Sequence, residues 1–108
     1  MKIAHNYCVY IVECSDKSYY TGVTNNLERR LWEHETGYNS SCYTFKRRPV
    51  VLKYYQWSQD IMQAIAWEKQ IKGWSRKKKE ALFIGDWEEI KRLAKSKSSP
   101  DPSSASSD

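Results

Sequence analysis

Tyr7-Cys8-Val9-Tyr10-Ile11-Val12-Glu13-Cys14-Ser15-Asp16-Lys17-Ser18-Tyr19-Tyr20-Thr21-Gly22-Val23-Thr24 is the stretch on which the fold turns. Residues 7–14 are β-branched and aromatic, the composition of a strand. Ser15 to Ser18 is turn chemistry, and Tyr19 to Thr24 reads as the returning strand of a hairpin. The hairpin carries a parity condition. Side chains alternate between faces, so Tyr10 and Tyr20 share one only when paired residue numbers sum to an even number. A three-residue loop, Asp16-Lys17-Ser18, meets that condition by setting Cys14 opposite Tyr20 and Tyr10 opposite Thr24. A two-residue loop would put the phenols on opposite faces.

Downstream, Asn25 is placed to cap a helix, Glu28 completes a capping box, and Gly37 terminates the helix after Thr36. A polar, basic loop over 38–49 ends at Pro49, and Val50 to Trp57 reads as a third strand. Ser58 or Asp60 opens a second helix, which Gly73 ends. Ser75 caps a third helix that runs to about Ile84 and closes at Gly85. Asp86 with Glu89 makes another capping box, ahead of the apolar stripe Trp87, Ile90, Leu93 and Ala94. The order ββαβααα predicts an α+β domain over 1–95, a small three-stranded antiparallel sheet flanked by helices. From Ser96 the chain is rich in Ser, Pro and Asp, and 96–108 reads as a disordered tail.

A chain of 108 residues is long enough for one self-sufficient core, to which five Trp and eight Tyr contribute much of the volume. No run approaches the ~18 apolar residues that span a bilayer. Met1 to Asn6 lacks an apolar h-region, so neither a signal peptide nor a membrane partner is expected. Cys8, Cys14 and Cys42 form an odd set without CxxC spacing, which points to a cytoplasmic chain with reduced, buried thiols rather than to a zinc site. Charge is unevenly spread. Between Lys46 and Lys79 ten basic residues face only Asp60 and Glu68, a local charge of +8. Mixed with Tyr and Trp, such a block suits a polyanion, and nucleic acid is the commonest one inside cells.

Two helices carry polar groups where apolar ones belong. At 100° per residue, Leu27 and Leu31 define the inward stripe of the first helix, with His34 between them and Arg30 at its edge. On the second, Ile61, Ala64, Ile65 and Ile71 form the buried face, with Glu68 in its middle and Lys72 beside it. A carboxylate there costs several kcal/mol unless it is paired or binds a metal. Each residue has a bland explanation: a core histidine, a Glu68–Lys72 ion pair, a surface arginine, packing tyrosines. Those explanations would have to coincide at five positions. A phenol pair, a guanidinium, an imidazole and a carboxylate are also the groups that hydrolyse a phosphodiester around one divalent metal.

In these residues the chain resembles the GIY-YIG nuclease domain, and within it the small stand-alone bacterial branch of roughly this length. The resemblance rests on Tyr10-Ile11-Val12-Glu13-Cys14, Tyr20-Thr21-Gly22-Val23-Thr24, Leu27-Glu28-Arg29-Arg30, His34, Tyr43-Thr44 with Arg47-Arg48-Pro49, and Glu68-Lys69-Gln70-Ile71-Lys72-Gly73-Trp74. The first motif reads Cys8-Val9-Tyr10, keeping only the tyrosine, and the second has Thr21 in place of Ile. The resemblance implies a tyrosine that helps deprotonate or orient water, Arg30 on the scissile phosphate, His34 in proton transfer and Glu68 on a divalent metal. An Asn that some members carry one helix later has no counterpart, since no Asn follows Asn39.

The expected function is therefore a metal-dependent endonuclease acting on DNA, branched, nicked or single-stranded, in repair or recombination. Tyr10, Tyr20, Arg30 and His34 are the catalytic candidates, and Glu68 would hold a single Mg²⁺ or Mn²⁺, because one carboxylate does not hold a two-metal pair. Arg47, Arg48, Lys72, Arg76, Lys77, Lys78 and Lys79 are candidates for phosphate contacts, and Gly22 for close approach of the DNA backbone. A non-catalytic nucleic-acid-binding module is the alternative, and a protein-interaction module using exposed aromatics a third.

Overall fold

The computed structural model describes residues 6–95. The expected tail over 96–108 lies outside the described residues. The elements follow the expected order, and the domain is α+β: β1 (Tyr7–Glu13), β2 (Tyr19–Thr24), α1 (Leu27–Thr36), β3 (Val51–Ser58), α2 (Ile61–Lys72), α3 (Arg76–Phe83) and α4 (Trp87–Lys95). By backbone proximity the chain forms two compact units, one closing at Glu68 and the other opening at Lys69.

The first unit is built on an antiparallel sheet of order β2-β1-β3. The central strand β1 is covered on both faces: Cys8, Tyr10 and Val12 are fully buried on one, Val9 and Ile11 on the other. That is why its sequence is a continuous apolar run rather than an alternation, and each such side chain contributes about 1.5–3 kcal/mol.

The hairpin pairs Cys8 with Thr24, Tyr10 with Gly22 and Val12 with Tyr20. Paired numbers sum to an even value, so both phenols lie on one face, but the register is shifted by two from the expected one. The loop is of odd length yet sits one residue earlier. The Lys17 amide donates to the Cys14 carbonyl (2.9 Å) and the Cys14 amide to the Ser18 carbonyl (2.8 Å), leaving Ser15-Asp16-Lys17 as the turn. Lys17 takes the left-handed conformation (φ 73°) that this turn requires.

The β1–β3 ladder shifts register between Ile11 and Val12. Ile11 pairs with Tyr54 and Val12 with Leu52, so Lys53 is the extra residue of a bulge. The bulge is what lets Leu52 join the Tyr10 face while Tyr55, three residues on, stays on that face opposite Tyr10.

The cap of α1 is Asn26, not Asn25. Its side chain accepts from the Arg29 amide at 3.0 Å, which puts Arg29 where the capping box needed Glu28. Thr24 Oγ1 accepts from the Asn26 amide at 3.1 Å and anchors the cap to the end of β2. Leu27 and Leu31 lay the helix on the Tyr10 face, and Gly37 ends it in the left-handed region (φ 71°). On α2, the Trp67 indole donates to the Tyr54 hydroxyl at 3.2 Å.

In the second unit, α3 is capped by Ser75, whose side chain accepts from the Lys78 amide, and Gly85 (φ 71°) closes the turn into α4. Asp86 accepts from the Glu89 amide at 3.0 Å, but the Glu89 carboxylate pairs with Arg92 and does not complete a capping box. Ile71, Ala81, Leu82 and Ile90 are its buried apolar residues. No helix among the described residues is long and apolar enough to cross a membrane.

Candidate active site

Four elements of the first unit converge on one phenol. Tyr10 is fully buried on β1, and its hydroxyl lies 2.8 Å from His34 Nε2. Arg30 Nε donates to the same oxygen at 3.2 Å. His34 and Arg30 are four residues apart on α1, so one turn of helix presents both to β1. Tyr20 comes from β2. Its ring meets the His34 ring edge-on at 5.2 Å and lies 6.3 Å from that of Tyr10. The loop after α1 supplies the rest: Tyr43 stacks on Tyr20 at 6.0 Å, and Thr44 Oγ1 lies 2.7 Å from His34 Nδ1.

The burial alters the chemistry of each group. The Tyr10 phenol is pushed above its ordinary range by burial, with the nearby Arg30 charge opposing only in part. It is a neutral donor at physiological pH, not a poised base, and it meets no solvent in this conformation. Burial also works against the Arg30 charge, but hydrogen bonds to Glu33, Tyr10 and Tyr20 outweigh it and hold the pKa above the usual value. Glu33 Oε1 lies 2.8 Å from Arg30 Nη1. Arg30 Nη2 reaches the soft Cys42 Sγ at 3.9 Å, and the guanidinium also hydrogen-bonds Tyr20, whose phenol is half-buried. At Cys42, burial raises the thiol pKa, but hydrogen bonds from Thr44 and the Arg30 charge prevail and bring it below the ordinary value.

His34 is 2% exposed, and its pKa is lowered to about 4, by burial first and the Arg30 charge second. The unfolded histidine titrates near 6.5, so between about pH 6.5 and 4 the unfolded chain binds the extra proton. This contribution to stability is complete above pH 6.5 and is lost as pH falls through that window. At ~1.4 kcal/mol per pH unit the loss reaches about 3 kcal/mol. Urea midpoints at pH 7 and pH 4 check it: the wild type is expected to lose about that much more stability than His34→Gln.

Gly22 has a role the sequence reading did not foresee. A Cβ there would lie 2.7 Å from Tyr10 Oη and 2.8 Å from Cζ, so the space over this glycine is occupied by the phenol of its ladder partner. The glycine makes room for Tyr10. Gly22→Ala is expected to cost about 1–3 kcal/mol in a urea titration, because ring and backbone are both fixed by packing. The departure Thr21 lies on the other face opposite Ile11, with its hydroxyl buried and without a hydrogen-bond partner.

The remaining candidates lie on other elements. Glu68 is half-buried on α2, one residue after Trp67, rather than fully buried in an apolar face. Ile61 at the start of that face is 36% exposed, so the expected burial cost of the carboxylate is largely avoided. Arg47 is engaged locally: Nε bonds Asp16 at 3.1 Å, Nη1 donates to the Tyr43 carbonyl at 2.8 Å, and its guanidinium lies 3.9 Å over the Tyr43 ring. It clamps the 38–49 loop to the hairpin turn. Arg48 lies across Gly37 and over the Phe45 ring, while still exposed. In the second unit Lys72, Arg76 and Lys77 are exposed, Lys78 sits 4.6 Å over the Trp74 ring, and Lys79 is buried. Lys79 is therefore not the solvated phosphate contact its sequence position suggested.

Sequence reasoning missed Glu33, Cys42 and Thr44 as members of the cluster. Glu33 was findable as the carboxylate one turn after Arg30. Thr44 and Cys42 were not, since only the folded loop brings them to α1.

A divalent cation fits the residues present in one form. Among the described residues no three His, Cys, Asp or Glu side chains converge as a cage, and Glu68 is the one carboxylate that the family resemblance names for a metal. That donor set suits Mg²⁺ or Mn²⁺, which keep most of their waters and share the rest of their coordination with substrate phosphate.

UPF0213 proteins from Bacillus cereus (strain ZK / E33L) and Syntrophus aciditrophicus (strain SB) are 45% and 46% identical to the chain. The first match covers 70% of this chain and 78% of the relative, the second 75% and 92%. The solution structure of a UPF0213 protein from Bacillus halodurans aligns over 88% of both chains at 35% identity, with a TM-score of 0.46. The GIY-YIG catalytic domain matches residues 6–81, which take in the tyrosine hairpin, α1, the 38–49 loop and Glu68. The chain belongs to the GIY-YIG nuclease family, with the UPF0213 proteins as its relatives.

Proposed function

We propose that the protein is a metal-dependent endonuclease that hydrolyses DNA phosphodiester bonds, in repair or recombination. The observation that carries this reading is the Arg30 guanidinium. It is held by Tyr10, Glu33 and Tyr20, with Nη2 on the soft Cys42 Sγ, and it stays partly exposed. A preorganised, partly exposed cation is suited to a phosphate whose charge grows as the bond breaks.

Tyr20 and Arg30 face the substrate in this mechanism. Arg30 Nη2 binds a non-bridging phosphate oxygen and stabilises the charge of the pentacoordinate transition state. The half-buried Tyr20 phenol orients the attacking water. Tyr10 and His34 act from beneath, Tyr10 by holding Arg30 Nε and His34 by holding Tyr10. A divalent cation held by Glu68 supplies Lewis acidity and an acidified water when bound. The exposed bases Lys72, Arg76 and Lys77, with Arg48, contribute phosphate contacts and make affinity salt-dependent.

The test is cleavage of labelled branched, nicked, single-stranded and duplex DNA with Mg²⁺ or Mn²⁺, against a chelator control. Cutting only with the metal supports the reading. Salt-sensitive binding with no cutting of any substrate would replace it with the non-catalytic module.

A further inference from the structure

Tyr10, His34 and Thr44 are 0%, 2% and 1% exposed, so their hydrogens must be placed among themselves and their neighbours rather than on water. One link has a fixed direction. Arg30 Nε only donates, so the Tyr10 oxygen accepts from it at 3.2 Å. The phenol hydrogen then needs an acceptor, and His34 Nε2 is 2.8 Å away. A neutral ring that accepts at Nε2 carries its hydrogen on Nδ1, and Thr44 Oγ1 lies 2.7 Å from that nitrogen, with the weaker acceptor Cys42 Sγ at 3.8 Å. The Thr44 hydroxyl in turn donates to Cys42 Sγ at 3.5 Å, which Arg30 Nη2 reaches at 3.9 Å. The bonds form a closed ring that starts and ends on the Arg30 guanidinium.

The opposite tautomer breaks the ring in two places. With hydrogen on Nε2 the Tyr10 oxygen would accept from both His34 and Arg30, and the phenol hydrogen would lose its partner. Thr44 would have to turn its hydrogen to Nδ1 and away from Cys42. Arg30 favours the Nδ1 form from the Tyr10 end, and the Thr44 hydroxyl, as the acceptor on Nδ1, favours it from the other; Arg47 pins the loop that delivers it to Asp16 and to the Tyr43 carbonyl.

We propose that Thr44 is a positioning residue of the nuclease site: its hydroxyl keeps the His34 hydrogen on Nδ1, so that Nε2 holds Tyr10 and Tyr10 holds Arg30. The effect on cleavage rests on the nuclease reading; the tautomer does not. Thr44→Val keeps the shape and removes the hydroxyl, whereas Thr44→Ser keeps the hydroxyl.

The experiment combines nitrogen-15 spectra of the histidine ring with cleavage rates, in a His5→Gln background that leaves one imidazole. In the parent the hydrogen is expected on Nδ1. Thr44→Val moves it wholly or partly to Nε2 and lowers cleavage by roughly 10-fold or more, while Thr44→Ser keeps the Nδ1 form and cleaves within about threefold of the parent. A parent ring protonated on Nε2 overturns the proposal whatever the cleavage rates, as does a folded Thr44→Val that keeps the Nδ1 form. Should Thr44→Val fail to fold, the parent spectrum and Thr44→Ser decide. If no protein cuts DNA, the nuclease reading falls and the ring spectra still test what Thr44 does.

Discussion

Arg30→Lys is expected to slow DNA cleavage by about 100- to 1,000-fold, the usual cost of removing a preorganised donor from a developing negative charge. Three ends of the guanidinium do different things here: Nε meets Tyr10, Nη1 meets Glu33, and Nη2 reaches Cys42 Sγ. An ammonium is a point charge on a flexible stem and cannot occupy all three positions. It keeps the positive charge, so DNA affinity should change little while the rate collapses. Single-turnover cleavage beside a binding titration separates the two. Equal rates for Arg30→Lys and wild type would show that charge alone suffices and that the fork geometry is irrelevant. The Tyr10 oxygen loses a donor in the variant but keeps His34, which limits the stability loss to about 1 kcal/mol in urea.

Glu68→Ala is expected to abolish metal-dependent cleavage, by roughly 1,000-fold or more, and to leave DNA binding intact. Loss of a Lewis acid from the reaction removes several kcal/mol of transition-state stabilisation, and each 1.4 kcal/mol is about tenfold in rate. The residue is half-buried on α2, so its truncation should cost less than a fully buried carboxylate would. Mn²⁺ titration of cleavage in both proteins is the check. A variant that cuts with unchanged metal dependence would place the cation elsewhere and remove Glu68 from the site.

Glu68 also shows where periodicity misleads. A stripe at 100° per residue marks the side of a helix that packs, but not how deeply each turn is covered. Ala64 at 1% and Ile71 at 0% follow the stripe, while Ile61 at 36% does not. His34 follows it fully, because α1 lies on the sheet through Leu27 and Leu31.

By itself the sequence determined the order of elements, the helix stops at Gly37 and Gly85, and the requirement that Tyr10 and Tyr20 share a face. Such features are local: they depend on backbone propensity, on caps and on a strand period of two. It also marked Arg30 and His34, since a polar residue on an apolar stripe is visible in spacing alone. Only the tertiary structure decided the hairpin register, because two registers of equal parity satisfy the same pattern and packing selects between them. Only it showed that Gly22 exists for the Tyr10 ring, that Arg47 is a clamp and that Lys79 is buried. Contacts between residues 10 to 31 positions apart carry no signature in either segment. Thr44 belongs to this second class: the family resemblance includes it, but only the folded loop places its hydroxyl on His34 Nδ1.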